Sequence, residues 1–419
     1  MVLNLVYSRQ HKPTNKHIMI TNRDIVVIGI QPWNIEIGSN CKNIASEMSK
    51  NNRVLYINPP LGRISYLKES TQPINKDRVA VLKGNKKSLT KISDSLWEYN
   101  PKTVSEPINR ISNNFIFDLL NKMNCKRFAK EINKAVKEMG FTNYILFNDS
   151  SMFIGNYLND YLDYESQIYY IRDNLINSPN PYWHTHGKRM EAEMIKKADV
   201  VVTNSIYYSD YAKSYNALSF MVGQGCDTSM FDYKTQNKHI PDELKDIKQP
   251  IIGYVGSITK KRLDIELIEF IANTNPQWSI VLVGPEDESF KNSSLHQINN
   301  IVFLGSKPEK ELPNYISGFD VCLNPQVLNN TTIGNYPRKI DEYLAMGKPV
   351  VATKTKAMEY FSDYTYLGTT KLDYVNLIQK AIAENSQELA EKRRAFALTH
   401  SWENNVNEIW KALELTIKK

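Results

Sequence analysis

No stretch of about 18 uncharged apolar residues occurs anywhere in the chain, which excludes a membrane-spanning helix. Cysteine is scarce. Cys41, Cys125, Cys226 and Cys322 stand far apart, with no CxxC and no Cys/His pairing, so neither a disulfide framework nor a patterned zinc site is expected. With 17 Gly and 18 Pro in 419 residues, the composition is not that of a fibrous or low-complexity protein. The opening MVLNLVYSRQHKPTNKH has too short an apolar patch and no small-residue cleavage site for a signal peptide. The cytoplasm is therefore the expected location. Helix-turn-helix spacing, RNP-like aromatic pairs and a basic low-complexity tail are all missing, so nucleic acid is not an expected partner.

What is present fits a globule of two domains of about 200 residues each. Apolar residues make up 42% and charged residues 23%. Lys and Arg outnumber Asp and Glu by 52 to 45, and this net +7 points to an anionic partner or surface without saying which. The 24 tyrosines add rigid amphipathic rings suited to packing or to sugar and base stacking.

Residues 1–22 show no period and are expected to form a loose arm. DIVVIGI (24–30), the helical segment that follows and the strand at 54–57 read as a βαβ unit. The segment 61–107 is ambiguous. A helix over 115–139 places Phe128, Ile132 and Val136 on one side, while Lys122, Lys126, Lys130, Lys134 and Lys137 track another. Further strands at 144–147, 167–171, 199–203 and 219–222 alternate with helical patterns, so a mostly parallel sheet is predicted for an N-terminal domain over 23–235. Periodicity fails over 224–250, and a linker is placed at 236–250. It restarts as IIGYV, SIVLVG, IVFLG, DVCLNP and PVVAT with intervening helices, a doubly wound domain over 251–400. A last helix over 401–419 is free to pack back on the first domain. Two α/β domains of this kind leave a cleft between their strand ends, where phosphate is favoured.

The densest chemical signal is TTIGNYPRKIDEYLAMGKPVVAT (331–353). Pro337 suits a helix start, and Gly347 with Pro349 ends the helix before a strand. Arg338 and Lys339 then surround one helix N-terminus, and Glu342 lies a turn further in. Two readings of Glu342 are open: an Arg338–Glu342 salt bridge on a solvated face, or a carboxylate that accepts paired hydrogen bonds from ribose hydroxyls.

The sequence resembles bacterial glycosyltransferases of the GT-B fold, the large and mostly retaining group that includes sucrose synthases. KIDEYLAMGKPVVAT looks like the signature helix and strand of that group, GYVGSITKKRLD like its first strand and phosphate loop, and SIVLVGP and NIVFLG like its next strands. The resemblance implies two Rossmann-like domains facing a cleft and a nucleoside diphosphate sugar, UDP-linked, as donor. It implies a saccharide or lipid-linked acceptor, no required cofactor and no bound metal. Glu342 would hold the ribose, with Arg338 beside it, and Ser257, Lys261, Arg262 and Lys339 would serve the diphosphate, whose negative charge grows as the sugar leaves. Val283, Gly284 and Leu304 would bracket the base. Gly38, Ser39 and Asn40 would bring a glycine loop towards the donor phosphate. One departure stands out: the second signature glutamate, eight residues before Glu342, is Gly334 here, which leaves Asn335 or nearby amides to contact the sugar.

Three polar clusters follow strand ends in the first half: Asn148-Asp149-Ser150, Arg172-Asp173, and WHTHGKRMEAE with His184, His186 and Glu191. His186, Asp173 and Asp149 are the catalytic candidates, expected to border the acceptor. No third ligand is patterned around His184 and His186, so no metal is assigned. An epimerase of the same fold and a non-catalytic sugar-binding subunit are the competing classes. The lysine side of the 115–139 helix suggests peripheral attachment to an anionic inner leaflet.

Overall fold

The computed structural model describes residues 20–35, 39–68, 72–177, 180–235 and 239–417. Most of the 1–22 arm, and Gly38, lie outside them. The first sheet is built from β1 (Asp24–Gly29), β2 (Arg53–Ile57), β3 (Leu89–Ser93), β4 (Leu96–Tyr99), β5 (Ile145–Asp149), β6 (Ser166–Ile171), β7 (Val200–Thr203) and β8 (Ser219–Met221). Their spatial order is β8-β7-β6-β5-β1-β2-β4-β3, parallel except for the β3/β4 hairpin. The apolar runs DIVVIG, SQIYYI and VVVT are buried along their whole length, as strands covered on both faces must be. The chain leaves β1 towards β2 and later returns to its other side with β5, in the register Gly29↔Asp149. That reversal opens a crevice at the strand C-termini.

The second sheet repeats the plan with β9 (Ile251–Val255), β10 (Ser279–Val283), β11 (Ile301–Gly305), β12 (Val321–Asn324), β13 (Val350–Thr353) and β14 (Tyr366–Gly368), all parallel, in the order β11-β10-β9-β12-β13-β14. Its switch point lies between β9 and β12. The two crevices face each other.

Helices cover both sheets. α1 (Asn40–Met48) packs Ile44 and Met48 on the first sheet, α2 (Arg63–Leu67) is a short exposed helix, and α3 (Asn114–Met139) buries Phe128 and Ile132 as the sequence period requires. Asn113 caps α3 by accepting from the Ile116 amide, and Gly140 ends it at φ 62°. α4 (Pro181–Lys197) lies before β7, and α5 (Lys339–Ala345) crosses from the second crevice into its core. α6 (Trp402–Ile417) returns to the first domain, where Val406, Ile409, Trp410 and Leu413 join the cluster of Ile25, Val27 and Ile44. Among the described residues no helix is long and apolar enough to cross a membrane.

The handover between domains differs from the sequence reading. Phe231 is already in the core of the second domain, and the 236–250 segment, read as a linker, forms a short helix at Asp242–Lys245 whose Leu244 is buried in that same core. Both anchors lie in short apolar pieces of a polar stretch, Phe231 beside Met230 and Leu244 near Ile247, so no period marks them. At the crossing the Cys226 amide donates to the His400 carbonyl, and a Cβ on Gly225 would fall 2.2 Å from the Trp402 ring.

Glu191 on α4 is wholly buried beside Tyr169 and Tyr211, and burial pushes its carboxyl up to about 8 against the partial relief those phenols provide. Between about pH 4.3 and 8 the unfolded chain has released a proton that the folded chain keeps, so stability declines as pH rises through this window and levels off above it. Glu191→Gln, an isostere of the protonated acid, should melt like the parent near pH 5 and higher than it near pH 8. The gap scales as roughly 1.4 kcal/mol per unit of displaced pKa. Calorimetry giving the same difference at both pH values would sink the assignment.

Candidate active site

The cleft between the two crevices has a volume of about 380 Å³. Its C-terminal wall is set by α5. Pro337 and Arg338 start the helix, their carbonyls taking the amides of Ile340 and Asp341. Gly347 closes it at φ 70°: its amide donates to Leu344 and that of Lys348 to Tyr343, a Schellman ending. The Tyr343 hydroxyl pins the helix to the end of β9, accepting from the Val255 amide at 2.8 Å and donating to the Val255 carbonyl at 3.3 Å. On the far side, the buried Asp341 carboxylate pairs with His400 Nδ1 at 2.6 Å, and His400 Nε2 meets the Tyr360 hydroxyl at 3.0 Å. The helix is thus fixed front and back.

These anchors leave Glu342, Lys339 and Arg338 on the cleft. Both sequence readings of Glu342 have a counterpart in the geometry: Arg338 Nε donates to it at 3.2 Å, yet the carboxylate lies in the cleft wall, only 12% exposed. Burial raises its pKa, with Arg338 and Lys339 acting against the rise. Lys339 Nζ donates to the Tyr254 hydroxyl at 2.6 Å and sits 4.1 Å above that ring, while Tyr254 donates to the Ser257 carbonyl. Gly256, at φ 141°, makes room for this ammonium, since a Cβ there would approach Nζ to 2.5 Å. Arg262 lines the cleft from the loop after β9 and makes no ion pair among the described residues.

The N-terminal wall is set by β1, β5 and β6. Asp149, fully buried, accepts from Arg172 Nε at 2.9 Å. Arg172 also donates to Asp173 at 2.9 Å and to Gln31 Oε1 at 3.2 Å, and Gln31 accepts a further bond from Ser39 Oγ at 2.7 Å. Burial alone would lower the Arg172 pKa; Asp149 and Asp173 outweigh it and hold the guanidinium charged. Arg172, Asp173 and Asn40 face the cleft.

Of the expected residues, the fold therefore gathers Asn40, Asp173, Arg262, Asn335, Arg338, Lys339 and Glu342 on one cleft. Several others are corrected. His186 stacks on Phe117 with ring centroids 3.8 Å apart and bonds the Ile111 carbonyl at 2.7 Å, buried in a core away from the cleft. Asp149 lies beneath Arg172 and not at the cleft surface, so it positions the guanidinium. Ser39 is one layer back, on Gln31. Val283 and Leu304 belong to the core of the second domain. Gly284 is there because the Gly256 carbonyl would lie 1.9 Å from any Cβ. Ser257 and Lys261 are exposed but do not line the cleft. Gly38 is outside the described residues.

Sequence reasoning passed over Arg172 in favour of its neighbour, and it missed Asn204, Gln224, Tyr254, Asn324 and Gln326 on the cleft. All but Tyr254 end a strand or lie within three residues beyond one, the signal that would have found them. Among the described residues no group of three or more His, Cys, Asp or Glu side chains is placed to hold a metal ion.

Gly334, in place of the usual glutamate, has a steric reason. A Cβ there would lie 2.4 Å from the Tyr207 ring and 2.8 Å from that of Tyr208, and the Gly334 carbonyl accepts from Ser205 Oγ at 2.8 Å. The neighbouring Asn330 carbonyl accepts from Asn174 Nδ2 at 2.6 Å. This loop is docked on the N-terminal domain, with no space for a carboxylate.

Two doubly wound domains meeting at their switch points define a GT-B architecture, and solved structures agree. Sucrose-phosphate synthase from Thermosynechococcus elongatus superposes with a TM-score of 0.65 at 13% identity, covering 95% of this chain and 100% of that one. Anabaena HepE in complex with UDP gives 0.63 at 15%, covering 93% and 100%. The chain has a GT-B fold, and its residues 249–391 match the family Glycosyl transferases group 1. Over 239 residues it is also 29% identical to the putative teichuronic acid biosynthesis glycosyltransferase TuaH of Bacillus subtilis (strain 168), a match spanning 54% of this chain and 59% of that relative.

Proposed function

We propose that the protein transfers a hexosyl group from a nucleoside diphosphate sugar, UDP-linked, to a saccharide or lipid-linked acceptor in cell-surface polysaccharide synthesis. The observation that carries this reading is the meeting, on one cleft, of the half-buried Glu342 carboxylate with the Tyr254-bound Lys339 and with Arg262, which has no ion-pair partner among the described residues. The carboxylate suits ribose hydroxyls and the two cations suit a diphosphate. The group 1 domain, the UDP and UDP-glucose complexes of HepE and the name of the Bacillus relative support the same chemistry.

In this reading the anomeric C–O bond to the diphosphate breaks as the acceptor oxygen bonds to the same carbon. Arg262 and Lys339 stabilise the charge that develops on the departing phosphate. With retention, the acceptor attacks on the leaving-group side and its proton passes to that phosphate, so no protein nucleophile is needed. Asn335 contacts the sugar where Gly334 cannot, and Asp173 with Arg172 borders the acceptor. Closing the cleft keeps water from competing for the donor. The exposed lysines of α3 draw the first domain to an anionic leaflet by roughly 1 kcal/mol each when near the surface.

Incubation with labelled UDP-sugars tests the proposal: transfer or slow hydrolysis supports it, isomerisation favours an epimerase, and binding without turnover a sugar-binding subunit. Arg262→Ala should lower turnover while leaving UMP affinity nearly intact, since UMP lacks the second phosphate. Equal losses for UMP and UDP would remove Arg262 from the leaving group.

A further inference from the structure

Helix α3 begins with large apolar side chains turned to solvent: Phe115 is 77% exposed, Leu119 62% and Ile116 48%. Single exposed apolar residues are ordinary, but three within five positions on one helix form a continuous patch. Half-buried Met123 extends it, after which the same side becomes cationic with Lys126, Lys130 and Lys137. At 3.6 residues per turn, positions 115, 119, 126, 130 and 137 fall within about 60° of one another. None of these three lysines has an ion-pair partner among the described residues. Alongside, α2 buries none of its residues and exposes Ile64 and Leu67 by half or more. It is held to α3 through Glu106, which accepts from both Arg63 and Arg127.

We propose that Phe115, Ile116 and Leu119 insert at the acyl boundary of an anionic bilayer while the lysines further along α3 lie on its headgroups. An apolar end continuous with an ammonium row matches the depth profile of such a leaflet, and a helix lying in the interface uses both terms. A second copy of the chain fits less well, since a two-fold contact brings the same face to meet it, and that face offers the lysine row no anionic partner. The inference rests on the reading of α3 as an anionic-surface contact and adds insertion to attraction.

All four native cysteines are buried, so a single exposed thiol can be labelled selectively. Phe115→Cys carrying an NBD fluorophore should brighten and shift to the blue with phosphatidylglycerol-containing vesicles, and the same label at Leu372→Cys in the second domain should not respond. Phe115→Ser with Leu119→Ser should reduce vesicle binding by about tenfold or more with UDP binding unchanged. Changing Lys122, Lys126, Lys130, Lys134 and Lys137 to glutamine should abolish the salt-sensitive part of that binding. A water-exposed label on protein that has sedimented with vesicles would overturn insertion while leaving surface attraction standing. No sedimentation at low salt would overturn both. A label already buried without lipid, in particles of doubled mass, would assign the face to a second copy and overturn the proposal.

Discussion

Asp149→Asn is expected to destabilise the protein by ~3–5 kcal/mol, the effect of removing one partner from a buried ion pair. Asp149 has no solvent exposure and burial pushes its carboxyl up against the pull of Arg172, but here the cost falls on the guanidinium, which is only 11% exposed and would lose its buried counter-charge. The amide that replaces the carboxylate keeps one acceptor for Arg172 Nε but loses the second acceptor and the negative charge that balanced the guanidinium. Asp173 cannot compensate, since it is half exposed and already holds the other end of the guanidinium. The network continues through Gln31 to Ser39 at the start of α1, so the N-terminal wall of the cleft should loosen with it. Urea denaturation measures the loss. Asp149→Leu combined with Arg172→Met, which removes both charges, should recover much of the stability without restoring the cleft surface. If Asp149→Asn unfolds within about 0.5 kcal/mol of the parent, the range of an ordinary surface substitution, Arg172 is not held as described.

This pair marks where sequence reading stopped. DIVVIG, SQIYYI and VVVT are legible as strands because a chain covered on both faces must be mostly apolar, and the alternation with helices then dictates parallel sheets. The segment 61–107 was not legible: its helices and strands are short and, apart from the buried Leu96–Tyr99, largely half-exposed, so no period develops. The α5 region was legible because Pro337 and Gly347 bracket the helix and fix which residues meet the cleft. For His186 the sequence places an imidazole near strand ends but cannot say that Phe117, from a helix 69 positions earlier, stacks on it. Gly284 has the same difficulty, since its requirement comes from the Gly256 carbonyl of a neighbouring strand end. Asp149 was found as a strand-end carboxylate, but its burial follows from the Gly29↔Asp149 register, and register is a property of the sheet.

Glu342→Ala should weaken UDP binding by about 10- to 150-fold, the equivalent of losing one hydrogen bond from a hydroxyl to a charged acceptor. Its effect on folding should run the other way. Burial raises the Glu342 pKa, so the folded chain holds a carboxylate it would sooner not ionise, and its loss removes that cost while Arg338 keeps a path to solvent. The melting temperature of the variant should therefore match or exceed that of the parent, which separates lost binding from lost structure. The same raised pKa sets a pH signature. In the proposed complex the ribose hydroxyls donate to the ionised form, so UDP affinity should fall as pH drops through the Glu342 pKa, and this dependence should be absent in Glu342→Gln. Calorimetric titration with UDP at several pH values tests all of this in one series. Unchanged affinity in a folded Glu342→Ala protein would leave only the Arg338–Glu342 helix pair, worth about 0.2–0.5 kcal/mol, as the reason for a carboxylate at this position.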